Sequence, residues 1–89
     1  MDYETEIING HKAIVRHIFN REELKVGSRW IGSSGGIVTI DDIKIYPKMD
    51  SPKDWYEVYY SWDEGGEKRT HNKDHFSFQC RYCLIVEDT

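Results

Sequence analysis

Eighty-nine residues, 38% of them hydrophobic and 31% charged, make one domain near the size at which a single core is only marginally stable. Three Trp, six Tyr and three Phe supply the core area that the aliphatic residues do not, although such a core is too small to enclose a large active-site cavity. A net charge of −4 argues against a chain that binds nucleic acid over its whole surface. The acidic start, Met1 to Glu6, is not a signal peptide, and no apolar run reaches membrane-spanning length. Two neighbouring cysteines are no secreted disulfide framework, so the cytoplasm is the expected compartment.

In chain order, Asn9-Gly10 between apolar pairs predicts a β-hairpin over residues 1–20, since both central residues of a tight turn need positive φ. An amphipathic helix over 11–19, built on Ile14, Val15 and Ile18, is the alternative. Asn20 is placed to cap a helical turn with Glu22 and Glu23 at its positive end; Gly27 ends the turn, and Arg29-Trp30-Ile31 opens a short strand. Gly32–Gly36 is a turn-rich connection without the Gly-Lys-Ser/Thr of a phosphate-binding loop.

The next run, Ile37–Tyr46, is strongly strand-like but changes phase. Val38 and Ile40 share one face, Ile43 and Ile45 the other, and one extra residue at Asp41-Asp42 restores a common buried face. Pro47–Asp54 is a loop by composition. Trp55–Trp62 then alternates, with Tyr56, Val58, Tyr60 and Trp62 on one face and Trp55, Glu57, Tyr59 and Ser61 on the other. Asp63–Glu67 is a tight connection to a short strand Lys68–Thr70. Asn72 or Asp74 caps a helical turn that buries Phe76 and Cys80, or else a strand runs on from Phe76; Tyr82–Val86 is the final strand. The expected fold is all-β and mainly antiparallel.

From Gly27 onward, the motifs Gly27-Ser-Arg-Trp30, Val38-Thr-Ile40, Val58-Tyr-Tyr60 and the run from Phe76 or Phe78 to Leu84-Ile85 resemble SH3-like barrels of the Tudor and KOW type. They are also similar to small uncharacterised proteins of phages and mobile elements. The resemblance covers about two thirds of the chain and rests on core-packing motifs, which specify a barrel rather than an activity. It implies a small SH3-like barrel over residues 24–88; the N-terminal β-hairpin (1–20) lies outside the resemblance as an extension, and one or two short helical turns complete the expected fold. It further implies an accessory protein that engages a host or self-assembled partner.

Three constellations carry candidate chemistry. His71, His75, Cys80 and Cys83 are zinc-ligand types within thirteen residues. Cysteines three apart diverge on a strand, however, and no glycine marks a knuckle, so a packed pair without metal or cofactor is expected. Trp55 and Tyr59, with Glu57 between them and Trp30 nearby, form a candidate aromatic binding surface, unless the N-terminal hairpin covers them. Residues 41–67 carry eight acidic against three basic side chains, which favours a basic protein partner over a phosphate backbone. Arg16, Arg21, Lys25, Arg29, Lys68, Arg69 and Lys73, with Lys12, are the basic set that the alternative, a nucleic-acid-binding barrel, would use. No nucleophile–base spacing stands out, so the expectation is a non-catalytic module acting through protein–protein contact, with homo-oligomerisation open.

Overall fold

The computed structural model describes residues 4–15, 21–47 and 55–86. Two five-residue strands, β1 (Glu4–Ile8) and β2 (His11–Val15), pair antiparallel from Glu4↔Val15 to Ile8↔His11. Asn9 and Gly10 join them at φ +48° and +85°, the left-handed pair whose twist matches the strands on either side. Residues 11–15 are therefore strand rather than helix; residues 16–20, with the predicted Asn20 cap, lie outside the described residues.

A 3-10 turn at Arg21–Glu23 leads to buried Leu24, and Gly27, at φ +89°, turns the chain into β3 (Arg29–Gly32). From there β3, β4 (Ile37–Tyr46), β5 (Trp55–Glu64) and β6 (Glu67–Asp74) form an antiparallel meander. A seven-residue helix, α1 (His75–Arg81), and a short strand, β7 (Tyr82–Leu84), complete the order β6-β5-β4-β3-β7. The fold is all-β and antiparallel with one short helix. Hydrogen-bonded pairing among the described strands does not return from β7 to β6.

The predicted phase change in β4 is a bulge. Ile40 pairs with Tyr60 and Asp42 with Tyr59, so Asp41 is the extra residue. Val38 and Ile40 before it, and Ile43 after it, consequently face the same core as Val58 and Tyr60. That core holds Leu24, Trp30, Val38, Ile40, Val58, Tyr60 and Phe78, with Ile43, Tyr56, Trp62, Tyr82 and Leu84 packed around it.

Phe78, from α1, is the wedge. Its ring lies 5.1 Å from those of both Trp30 and Tyr60 and 4.9 Å from that of Tyr82. Asp74, in extended conformation, caps the helix by accepting the Ser77 N–H at 3.0 Å. Burial works against ionising the Asp74 carboxyl, but the Ser77 bonds and the nearby His75 outweigh it and hold its pKa below the ordinary value. With the helix starting at His75, its inward residues are His75, Phe78 and Gln79.

Three sequence expectations change here. Phe76 is 55% exposed and Cys80 is also exposed, so neither is the helical core residue expected. Ile45 is 54% exposed, so the face restored after the bulge is covered at Ile43 and not at Ile45, while the helical turn capped by Asp74 is present in place of the alternative strand from Phe76. And β6 extends well beyond Lys68–Thr70, because all eight of its residues pair with β5.

The N-terminal hairpin attaches at the β7 flank. Ala13 bridges Ile85, and the Val86 N–H donates to the Lys12 carbonyl at 2.9 Å. Its tip meets the β3–β4 turn, where a Cβ on Gly35 (φ +94°) would lie 2.9 Å from Asn9 Nδ2. Ala13 and Ile31 are fully buried in this second contact region.

Tyr60 touches Phe78, Tyr82, Trp62 and His71 by its ring alone, so Tyr60→Ala removes the hub of the aromatic core. The expected cost is about 3–5 kcal/mol, against a total stability of about 5–15 kcal/mol for a typical domain. Thermal melting of the variant checks it; a midpoint within a degree or two of the parent would remove Tyr60 from that role.

Candidate functional site

The bulge also decides what faces outward. Past Asp41, the residues opposite one another across β4 and β5 are Asp42 and Tyr59, Lys44 and Glu57, and Tyr46 and Trp55. On β6, Asn72 lies beside Tyr59 and Asp74 beside Glu57. Directly paired residues share a face, so these side chains form one outer surface across three strands, opposite the Phe78 side, except for Asp74, whose carboxylate is engaged in capping α1. The hairpin sits at the other flank of the sheet, on β7, and among the described residues it does not pair with β4, β5 or β6.

Three rings line this surface. Tyr46 is 48% exposed, while Trp55 and Tyr59 are half-buried. The Lys44 ammonium stands 5.0 Å from the centre of the Tyr59 ring, within cation–π range. Asn72 Nδ2 donates to Glu57 Oε2 at 2.7 Å and so ties β6 to the carboxylate between the two β5 rings. Desolvation raises the Tyr59 pKa, a hydrogen bond with Tyr46 adds to the rise, and the Lys44 charge opposes it. Tyr59 is thus held from two sides by its own chain.

Trp55 is anchored differently. Its ring meets that of buried His75 edge-on at 4.8 Å, and the Tyr56 ring approaches the same imidazole at 5.7 Å. His75 Nδ1 lies 3.2 Å from the Tyr56 N–H and 3.3 Å from the Tyr56 carbonyl oxygen. The first residue of α1 therefore fastens the start of β5 and fixes where Trp55 stands.

The fourth aromatic candidate, Trp30, is elsewhere. It is 2% exposed, packs edge-on against Phe78, and donates its indole N–H to Ser28 Oγ at 2.9 Å. It is a core residue with no ring face to offer.

The described members of the basic set do not converge on one patch. Lys12 is on the hairpin, Lys25 and Arg29 lie at β3, and Lys68, Arg69 and Lys73 are on β6. β3 and β6 are separated by β4 and β5, about 14 Å along the sheet at ordinary strand spacing. Arg16 and the side chain of Arg21 lie outside the described residues.

The His/Cys set is spread as well. His71 is on β6 with its ring edge-on to Tyr60, His75 is occupied under β5, and Cys80 is exposed in the last turn of α1. Cys83 pairs with Ile31 on β7, where burial, and then the charge of Glu6, pushes its thiol pKa up. A protonated thiol is a poor metal ligand and a poor nucleophile. Among the described residues no three His, Cys, Asp or Glu side chains converge in a way that could hold a metal ion.

Sequence reasoning missed Tyr46, Lys44 and Asn72. The signal for the first two was present: once the bulge puts Ile43 and Ile45 on the inner face, Lys44 and Tyr46 must face outward beside Glu57 and Trp55. No protein family, curated protein or solved structure matches this chain.

Two outcomes are expected from this geometry. An NMR titration should find the Tyr59 phenol ionising above the ordinary tyrosine range, with Tyr46→Phe lowering its pKa and Lys44→Met raising it further; an unchanged midpoint in both variants would dissociate the three side chains. Because the His and Cys side chains hold separate positions, EDTA should leave the melting temperature of the purified protein unchanged. Stoichiometric zinc that is lost together with the fold on chelation would contradict that.

Proposed function

We propose that this chain is a non-catalytic binding module, an SH3-like domain that engages a protein partner through the outer face of β4, β5 and β6. The observation that carries the proposal is the ridge of Tyr46, Trp55 and Tyr59 on one sheet face, interleaved with Asp42 and Glu57. Rings beside carboxylates attract a protein segment carrying Lys or Arg through cation–π contact and steering, and they oppose a phosphate backbone. Lys44 already occupies a face of Tyr59, which directs an incoming cation toward Tyr46 and Trp55.

The strand order supports the SH3-like assignment: a four-strand meander, a short helix, and a last strand returning beside the first. One cleft among the described residues, lined by Ile14, Glu23, Trp30, Gln79, Tyr82, Cys83 and Leu84, has a volume of about 30 Å³, room for water rather than a substrate. The phage-like resemblance fits an accessory protein of this kind. Nucleic-acid binding by the Lys/Arg set is the second reading, and the division of that set between strands disfavours it.

The test is retention of partners from a bacterial lysate, with and without nuclease, on the parent and on a Tyr46→Ala, Tyr59→Ala variant of intact fold. Retention that survives nuclease and is lost in the variant is the expected result. Sub-micromolar oligonucleotide binding at physiological salt, lost in the same variant, would place nucleic acid on this face instead.

A further inference from the structure

We propose that copies of this chain assemble edge to edge, the acidic β1 of one pairing antiparallel with the basic β6 of the next. Among the described residues, β1 pairs with β2 and β6 with β5, leaving one side of each strand unpaired. An unpaired edge presents a row of N–H and C=O groups that another strand can satisfy, and β6, with eight residues, is a long one.

The charges select which edge meets which. β1 carries Glu4 and Glu6 and no cation, whereas β6 carries Lys68, Arg69 and Lys73 between Glu67 and Asp74 at its two ends. Two β1 edges centred on one another set Glu6 against Glu6 and repel. Unlike edges match. Glu4 and Glu6 lie two apart on one face, as do Arg69, His71 and Lys73. With Glu4 opposite Lys73, Glu6 meets His71; shifted by two, Glu4 meets His71 and Glu6 meets Arg69.

Two of these cations, Lys68 and Arg69, are held only loosely. Lys68 stands 4.0 Å from Asp41 and Arg69 3.6 Å from Glu67, both in exposed pairs of the kind that contributes little. Charge on an edge ordinarily prevents strand addition; opposite signs on two edges convert it into partner selection. The contact is heterologous, so it repeats from copy to copy into a ring or an open array.

Sedimentation velocity over a range of concentrations and salt tests this on the whole chain. The parent's sedimentation coefficient should rise with concentration and fall back as salt is raised. Glu4→Lys with Glu6→Lys, and separately Arg69→Glu with Lys73→Glu, should each sediment as monomers with an unchanged circular dichroism spectrum. An equal mixture of the two variants should assemble again, because each then offers the edge the other has lost. A parent that stays monomeric throughout, assembly indifferent to salt, or a folded mixture that remains monomeric would each overturn the proposal. Where a variant fails to fold, the salt series on the parent decides.

Discussion

The extra residue in β4 is the constraint on which both faces of the sheet depend. A strand without it would carry Val38 and Ile40 inward and then present Ile43 and Ile45 to the outside. Asp42, Lys44 and Tyr46 would face Phe78, and the core would hold two charges. The bulge instead lets Ile43 rejoin the cluster around Val58 while Lys44 reaches the Tyr59 ring. Local contacts hold the kink: Asp42 Oδ1 accepts the Ile43 N–H at 2.9 Å, and Asp41 turns toward Lys68 on β6. The phase change was legible in the sequence, since a two-residue period that skips one position and then resumes marks an inserted residue.

The inner layer was legible in part. Tyr60 and Val58 follow directly from the alternation in β5, but the segment after β6 does not disclose itself. Phe76, Phe78, Cys80 and Tyr82 alternate as a strand would, while Phe76 with Cys80 and Phe78 with Tyr82 also have helical spacing. Local pattern cannot choose between these, and tertiary packing does. Trp30 and Tyr60 leave a space that the Phe78 ring fills, and a helix capped by Asp74 delivers that ring while directing Phe76 and Cys80 to solvent.

Trp30 shows a different limit. In β3, Trp30, Ile31 and Gly32 are all buried, because that strand is covered on both faces. Where both faces are covered there is no alternation to read, and an aromatic at such a strand's start looks as exposed as any other. Trp55, Glu57 and Tyr59 were legible as a shared face because β5 is covered mainly on one side. Their partners across the sheet, Lys44, Tyr46 and Asn72, depend on register, which comes from the bulge and the hairpin turns rather than from any single run.

The outer face and the β6 edge are parts of one surface, so the proposed recognition and the proposed assembly would be tied together. Asn72 both holds Glu57 and lies on the edge strand, so a strand added there becomes a fourth strand beneath the same face. In the register that sets Glu4 opposite Lys73, Thr5 falls beside Asn72 and Ile7 beside Thr70, on the Tyr59 side. Ile7 is 69% exposed in the single chain, an apolar side chain with nothing of its own to cover. In an assembled copy it would extend the Tyr46–Trp55–Tyr59 ridge sideways, adding apolar area to a site that is otherwise rings and charges. A partner that touches this added strand binds the assembled form more tightly than the single chain. By linkage, that partner then strengthens assembly by the same factor.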